Sequence, residues 1–291
     1  MATTTAKAFD DFNEAIKPST ATKEKVAARR DVVVDVLKKA FPSNSNIQFQ
    51  SARIIGSLGR KTATNPVHDL DLMTVLYVEP DLWRKYQRDS SDFLYRVRRA
   101  VNGESKVKKV GARGQAVSIF YQDGLTVDVA AMVKYDTGGY GIPDGSGNWL
   151  TTNPIRHEEY LNEQNDKLIG DLKKIVRFAK QWNKAHSSRL ASFHLEMLVA
   201  RTFASMGTNY RTALRLFFDY NHYNLSVQDP AGYSGDLSSY LTWNAKSDVN
   251  DSFKAARDRA DLALAAEDRG DHREAIRHWG IILGKSFPSY G

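Results

Sequence analysis

Two aspartates stand one residue apart in Asp69-Leu70-Asp71-Leu72. In an extended strand, side chains two positions apart project to the same face. This spacing therefore turns Asp69 and Asp71 out together and sends Leu70 and Leu72 into a core. Two carboxylates so close repel and raise each other's pKa unless a cation lies between them. Oxygen-only ligands suit Mg²⁺, with Mn²⁺ as its substitute. Asp128 repeats the arrangement in Leu125-Thr126-Val127-Asp128-Val129, a carboxylate between two core valines. Three carboxylates on adjacent strands can hold two metal ions for an in-line displacement at phosphorus.

Gly56-Ser57 follows the apolar run Ile54-Ile55 and precedes Asp-x-Asp by a short loop. Glycine lets backbone N–H groups approach a phosphate, and the Ser57 hydroxyl adds a donor. Arg60, Lys61 and Thr62 extend this candidate anion site.

These residues need a scaffold. The pattern predicts a helix over 21–40, with Val26, Val33, Val34 and Leu37 near helical spacing and Pro42 as its stop. Strands are predicted over 47–55 and 69–78, and a helix over 92–101. Residues 115–121 and 125–133 form a hairpin turned by Asp123-Gly124. A loop rich in Gly and Pro (137–154) leads to one long helix, about 157–184, with Leu161, Leu168, Leu172, Ile175, Val176, Ala179 and Trp182 on its apolar face. Further helices are predicted at about 190–206, 209–220, 235–245, 248–266 and 271–283. The fold class is α+β: a lobe over residues 1–150 with a mixed, largely antiparallel sheet, then a helical lobe over 151–291.

The 291 residues suffice for two packed lobes. The 42% hydrophobic content argues against general disorder. No apolar run reaches the roughly 20 residues of a membrane span, and residues 1–10 lack the apolar stretch of a secretory signal. With no cysteine, disulfides and thiolate metal sites are excluded. A cytoplasmic setting is expected. The net charge of +7 favours phosphate-bearing partners, nucleotide or nucleic acid.

Gly-Ser, a loop with Thr62, Asp-x-Asp and a third strand Asp resemble the nucleotidyltransferase superfamily of DNA polymerase beta. Ile142-Pro143-Asp144, Asn148-Trp149, Thr152-Asn153-Pro154 and His157 resemble its bacterial cGAS/DncV-like branch, the SMODS family. So do Lys180-Gln181-Trp182-Asn183, Ser192-Phe193-His194-Leu195-Glu196 and the tail from Glu274 to Pro288. The resemblance implies synthesis of a cyclic di- or trinucleotide second messenger from ribonucleoside triphosphates, an effector that reads it, and a setting in anti-phage defence. It implies that Ser57 holds a phosphate, that Asp69 and Asp71 bind both metals, and that Asp128 completes the site and helps deprotonate a ribose hydroxyl. Lys180 and Ser192 would contact the triphosphate, and the helical lobe would complete the nucleotide-binding cleft. Two rival readings stay open at this point. One is a transferase acting on an RNA, protein or small-molecule acceptor; the other is an inactive nucleic-acid-binding relative.

Other residues carry less definite expectations. Lys173, Arg177, Lys180 and Lys184 form a basic stripe on the long helix, with Lys173 and Lys184 read as solvated. Ser192 begins a helix and suits an N-cap. Asn165, four turns before Lys180 on that helix, could select a pyrimidine base with its amide; Asn162 is a rival. Arg96, Arg98, Arg99, Lys106, Lys108, Lys109 and Arg113 read as a solvated basic surface in preference to a nucleic-acid activator site. His68 reads as structural, and His157 and His194 as packing or helix-start residues. Trp149 and Tyr140 suit either base stacking or a core role. The last five residues are expected to be mobile, and the resemblance implies that Gly291 could be joined to a target by a ubiquitin-like ligase, as in some relatives.

Overall fold

The computed structural model describes every residue except Met1, 103–106, Met206 and Thr208. The chain groups into two compact units: Pro18–Arg60 with Pro66–Glu158, and Met1–Lys17 with Lys61–Asn65 and Glu159–Gly291.

The first is a sheet unit. Its strands are β1 (Ile47–Ile54), β2 (Asp69–Val78), β3 (Val107–Arg113), β4 (Ala116–Tyr121), β5 (Thr126–Lys134), β6 (Tyr140–Pro143) and β7 (Trp149–Thr152). They run in the order β1-β2-β5-β4-β3, with β6 on the end of β5 and β7 on β6. Among the described strands, β2 and β5 pair in parallel and the other pairings are antiparallel. The hairpin read from Asp123-Gly124 forms as expected: Gly124 has φ +83° and the Asp123 carboxylate accepts from Leu125 N–H.

Strand alternation divides β2 cleanly. Leu70, Leu72 and Leu76 enter a core shared with Val127 and Val129 of β5. It is closed by Val26, Val33 and Leu37 of α2 (Thr20–Ala40) and by Phe93, Leu94 and Val97 of α5 (Ser90–Val101). On the opposite face the carboxylates of Asp69 and Asp71 give way to Met73 and Val75, which pack with Ala130, Met132 and Ile142. Trp149 donates Nε1–H to Tyr86 O at 2.8 Å and lies 4.8 Å from Trp83 ring to ring, so it serves the core. The helix α4 (Pro80–Arg88) and strand β3 were not among the elements read from sequence.

The second unit is helical. It contains α1 (Thr5–Ile16), α7 (Leu172–Ala185), α8 (Ser192–Thr202), α9 (Tyr210–Asn221), α10 (Trp243–Asp268) and α11 (His272–Leu283). Trp182, Phe178, Phe217, Phe218 and Phe253 form its centre, joined by Phe9 and Phe12 of α1. No described helix is long and apolar enough to cross a membrane.

Three expectations are corrected here. The single helix over 157–184 is two: α6 (Pro154–Lys167) and α7, broken where Ile169 and Gly170 take φ of +57° and +85°. Gly170 N–H returns to Asn165 O at 2.8 Å, closing the helix end with a left-handed glycine. The helix over 235–245 does not form. Asp229 and Asp236 accept N–H groups of Ala231, Tyr233, Ser234, Val227 and Ser238, and such local side-chain bonds compete with a helix. The C-terminal residues are not loose. Phe287 is 7% exposed against Phe9 and Phe12, Tyr290 bridges Ala2, and Arg273 lies over the Tyr290 ring.

Candidate active site

The parallel register of β2 and β5 sets Asp71 directly beside Asp128. Asp69, two residues earlier on the same face, joins them. One carboxylate oxygen from each of the three lies within 4.8 Å of the others. Asp69 is exposed, while Asp71 and Asp128 are half-buried. His68 itself is exposed, and its carbonyl accepts from Thr126 N–H at 2.8 Å, which aligns the starts of both strands.

Burial raises the Asp128 pKa above the ordinary carboxylate range, and the Asp69 charge adds to this. A hydrogen bond from Ser118 opposes both. Ser118 stands opposite Asp128 across the β4–β5 pairing and donates its hydroxyl to Asp128 Oδ1. It escaped the sequence reading. The hairpin register, once counted from the Asp123-Gly124 turn, is the signal that finds it.

The donor set is hard and negative: three carboxylates, no nitrogen or sulfur. It fits a cation such as Mg²⁺, which takes oxygen ligands and favours carboxylates beside phosphate. Repulsion among three unneutralised carboxylates is the cost of the arrangement without one.

Gly56 opens the short helix α3 (Gly56–Gly59) with φ +64°. A Cβ on Gly56 would come within 1.8 Å of Asp71 Oδ2. Ile55 N–H also donates to Asp71 O at 2.9 Å. The turn carrying Ser57 is therefore built against Asp71. Ser57 is half-buried in α3, and Arg60, buried, ends the turn with its N–H on Gly56 O at 3.1 Å.

The remaining candidates lie in the helical unit. Lys180 is on α7, its ammonium 2.7 Å from Glu196 Oε1, 3.1 Å from Thr62 O and 3.3 Å from Thr62 Oγ1. Ser192 is exposed and is the first residue of α8, whose N-cap is Ala191; the N-cap reading of Ser192 is corrected. Asn165 lies in the last turn of α6, and its Oδ1 accepts Lys173 N–H at 3.2 Å. It does not share a helix with Lys180, so the four-turn relation inferred from a continuous helix fails. Asn162 Oδ1 accepts from Lys173 Nζ at 2.6 Å, so Lys173 is not simply solvated. Arg177 reaches Lys61 O and Asn13 Oδ1, and Lys184 is exposed.

His194 is buried between Tyr240 Oη and Leu225 O, and burial lowers its pKa, in keeping with a packing role. His157 lies in the first turns of α6, and Tyr140 is half-buried on β6. In the basic cluster, Arg98, Arg99, Lys108 and Lys109 are exposed, and Arg96 lies over the Phe41 ring. Lys106 lies outside the described residues, as does the side chain of Arg113.

Residues 3–165 match the Second Messenger Oligonucleotide or Dinucleotide Synthetase domain. A probable cyclic nucleotide synthase of Bacillus cereus is 28% identical, over 89% of this chain and 86% of its own length. A cyclic AMP-AMP-AMP synthase of Acinetobacter is 26% identical, over 98% of this chain and 86% of its own. Among solved structures, Escherichia coli CdnC in a complex with HORMA-deltaN superposes with a TM-score of 0.80 at 18% identity, over 97% of this chain and 98% of that one. The Vibrio cholerae cyclic AMP-GMP synthase DncV gives 0.79 at 13%, over 97% and 96%. At these identities the structural likeness shows a shared fold, α+β with a mixed sheet and a helical C-terminal part.

Proposed function

The chain belongs to the Second Messenger Oligonucleotide or Dinucleotide Synthetase family, and on that footing we propose that it joins ribonucleoside triphosphates into a cyclic di- or trinucleotide. The observation that carries this reading is the meeting of Asp69, Asp71 and Asp128 beside a turn that only glycine can start. The two relatives named as cyclic nucleotide synthases support it.

Asp69 and Asp71 would hold two cations and Asp128 one of them. Mg²⁺ bound there supplies positive charge to the attacking and leaving oxygens at phosphorus. Gly56 opens the backbone to a phosphate and Ser57 donates its hydroxyl to it. Asp128 takes the proton as a ribose hydroxyl attacks an α-phosphorus. The bond to pyrophosphate breaks, and each transfer releases one pyrophosphate and one proton. A last transfer within the linear product closes the ring.

Lys180 and Ser192 are assigned to the triphosphate. The three ammonium hydrogens of Lys180 have Glu196 and both oxygens of Thr62 within reach. A phosphate oxygen would thus replace an oxygen of Thr62. The product acts through an effector that binds it, and defence against phage is the setting proposed for the pair.

The test is mass spectrometry of the product made from the four ribonucleoside triphosphates with Mg²⁺. A cyclic oligonucleotide and pyrophosphate are expected, and none from Asp71→Asn. A product that forms only when an RNA or small-molecule acceptor is added would replace this reading with acceptor transfer.

A further inference from the structure

Residues 61–65 lie in sequence between the Gly56–Ser57 turn and Asp69, yet they group with the helical unit. This strap is tied down along its length. Arg177 donates to Lys61 O at 3.2 Å, and Lys180 to both oxygens of Thr62. Asn65 N–H donates to Ile16 O at 2.7 Å, and its side-chain amide to Lys17 O at 2.6 Å. Lys61 has φ +60°, a conformation that L-residues with side chains adopt uncommonly.

Behind Lys180 stands Glu196, fully buried at 0% exposure. A buried carboxylate is destabilising unless a partner neutralises it, and no step of the transfer uses this one. It pairs with the ammonium of Lys180, whose side chain is 10% exposed. A lysine head on a four-carbon stem has little fixed direction of its own; the carboxylate on one side gives it one, and both Thr62 oxygens accept from it.

We propose that Glu196 is a positioning residue for nucleotidyl transfer: it holds the Lys180 ammonium on Thr62 and so fixes strap 61–65, which joins the phosphate turn to the metal strand. This rests on the nucleotidyl-transfer reading above. The strap's ends continue within a few residues into Ser57 and Asp69, so loosening it displaces groups that must stay aligned. A misplacement of about 1 Å can lower a rate about 100-fold.

The experiment uses the full chain with Glu196→Gln, which keeps shape and removes charge. Thr62→Val keeps the Lys180–Glu196 pair but removes one acceptor. Amide hydrogen exchange over peptides spanning 57–69 is measured without nucleotide. Pyrophosphate release is measured from an equimolar mixture of the four ribonucleoside triphosphates with Mg²⁺. For Glu196→Gln we expect faster exchange across the strap and kcat lower by about tenfold or more, with the half-saturating concentration of the mixture changed less than about threefold. Thr62→Val should move both readouts the same way by less, and decides the matter if Glu196→Gln does not fold. Unchanged strap exchange overturns the proposal whatever the activity. So does a loosened strap at wild-type kcat, or a rise in half-saturation alone, which would leave Lys180 as a phosphate ligand only. A wild-type chain that makes no product refutes the transfer reading instead, and the exchange result stands separately.

Discussion

The carboxylate of Asp71 fills the space that a side chain at Gly56 would need, with Oδ2 within 1.8 Å of the Cβ position. The proposed metal ligand Asp71 and the turn proposed to hold a phosphate are thus in van der Waals contact, and each limits what the other can be. Gly56 also has φ +64°, a region where L-residues are strained.

Gly56→Ala should therefore displace Asp71 as well as the turn. Pyrophosphate release is expected to fall by about 100-fold or more, in line with small misplacements at a reacting centre. The circular dichroism spectrum should be unchanged. An alanine variant with near wild-type turnover would show that the turn tolerates the shift.

The carboxylate triad should bind Mg²⁺ at the cost of stability in its absence. Wild-type protein is expected to gain thermal stability on addition of Mg²⁺, by about 2.7 kcal/mol at a hundredfold excess over Kd. Asp69→Asn, Asp71→Asn and Asp128→Asn should lose that gain and make no product. Without divalent cation they should be as stable as wild type or more so, since each removes a repelling charge. Calorimetry with and without Mg²⁺ reads both effects, and a full Mg²⁺ response in all three variants would move the metal elsewhere.

Acid stability should depend on the turn at Asp123. Burial pushes its pKa up, but hydrogen bonds from Arg29, Leu125 N–H and Lys25 outweigh this and hold it at about 2, below the ordinary 3.8. A depressed carboxylate stabilises the fold above its unfolded pKa, and that contribution is lost as pH falls through the folded value. The stability gap between wild type and Asp123→Asn should be constant above about pH 5 and narrow between about pH 4 and 2. Urea unfolding across that range measures it; a gap that widens on acidification would contradict the assignment.

Phe287 should behave as a core residue. It meets Phe9 and Phe12 edge-on at 5.2 and 5.0 Å between ring centres. Phe287→Ala is expected to destabilise the chain by about 3 kcal/mol, the lower end for a buried phenylalanine. A neutral effect in urea unfolding would return the C-terminal residues to the status of a loose tail.

The carboxylate cluster was legible because its information is local. Asp69-Leu70-Asp71-Leu72 and Val127-Asp128-Val129 carry the period of a strand in their own composition, and a period of two fixes which side chains share a face. The Asp123-Gly124 turn likewise carries its own geometry. What the sequence determined by itself was therefore the identity of the three carboxylates, the glycine turn before them and the strands that bear them.

Only the tertiary structure decided which residues from distant segments meet. Ser118 reaches Asp128 through a strand register, and Asp71 lies beside Asp128 because β2 and β5 pair in parallel. The break at Ile169-Gly170 interrupts an apolar pattern that continues through it on both sides, so periodicity alone reads one helix. Phe9, Phe12 and Phe287 come from opposite ends of the chain, and nothing local marks them as partners. The same holds for Lys180, Glu196 and Thr62. Burial and charge pairing depend on what surrounds a side chain in space, and that neighbourhood exists only after segments far apart in sequence have packed.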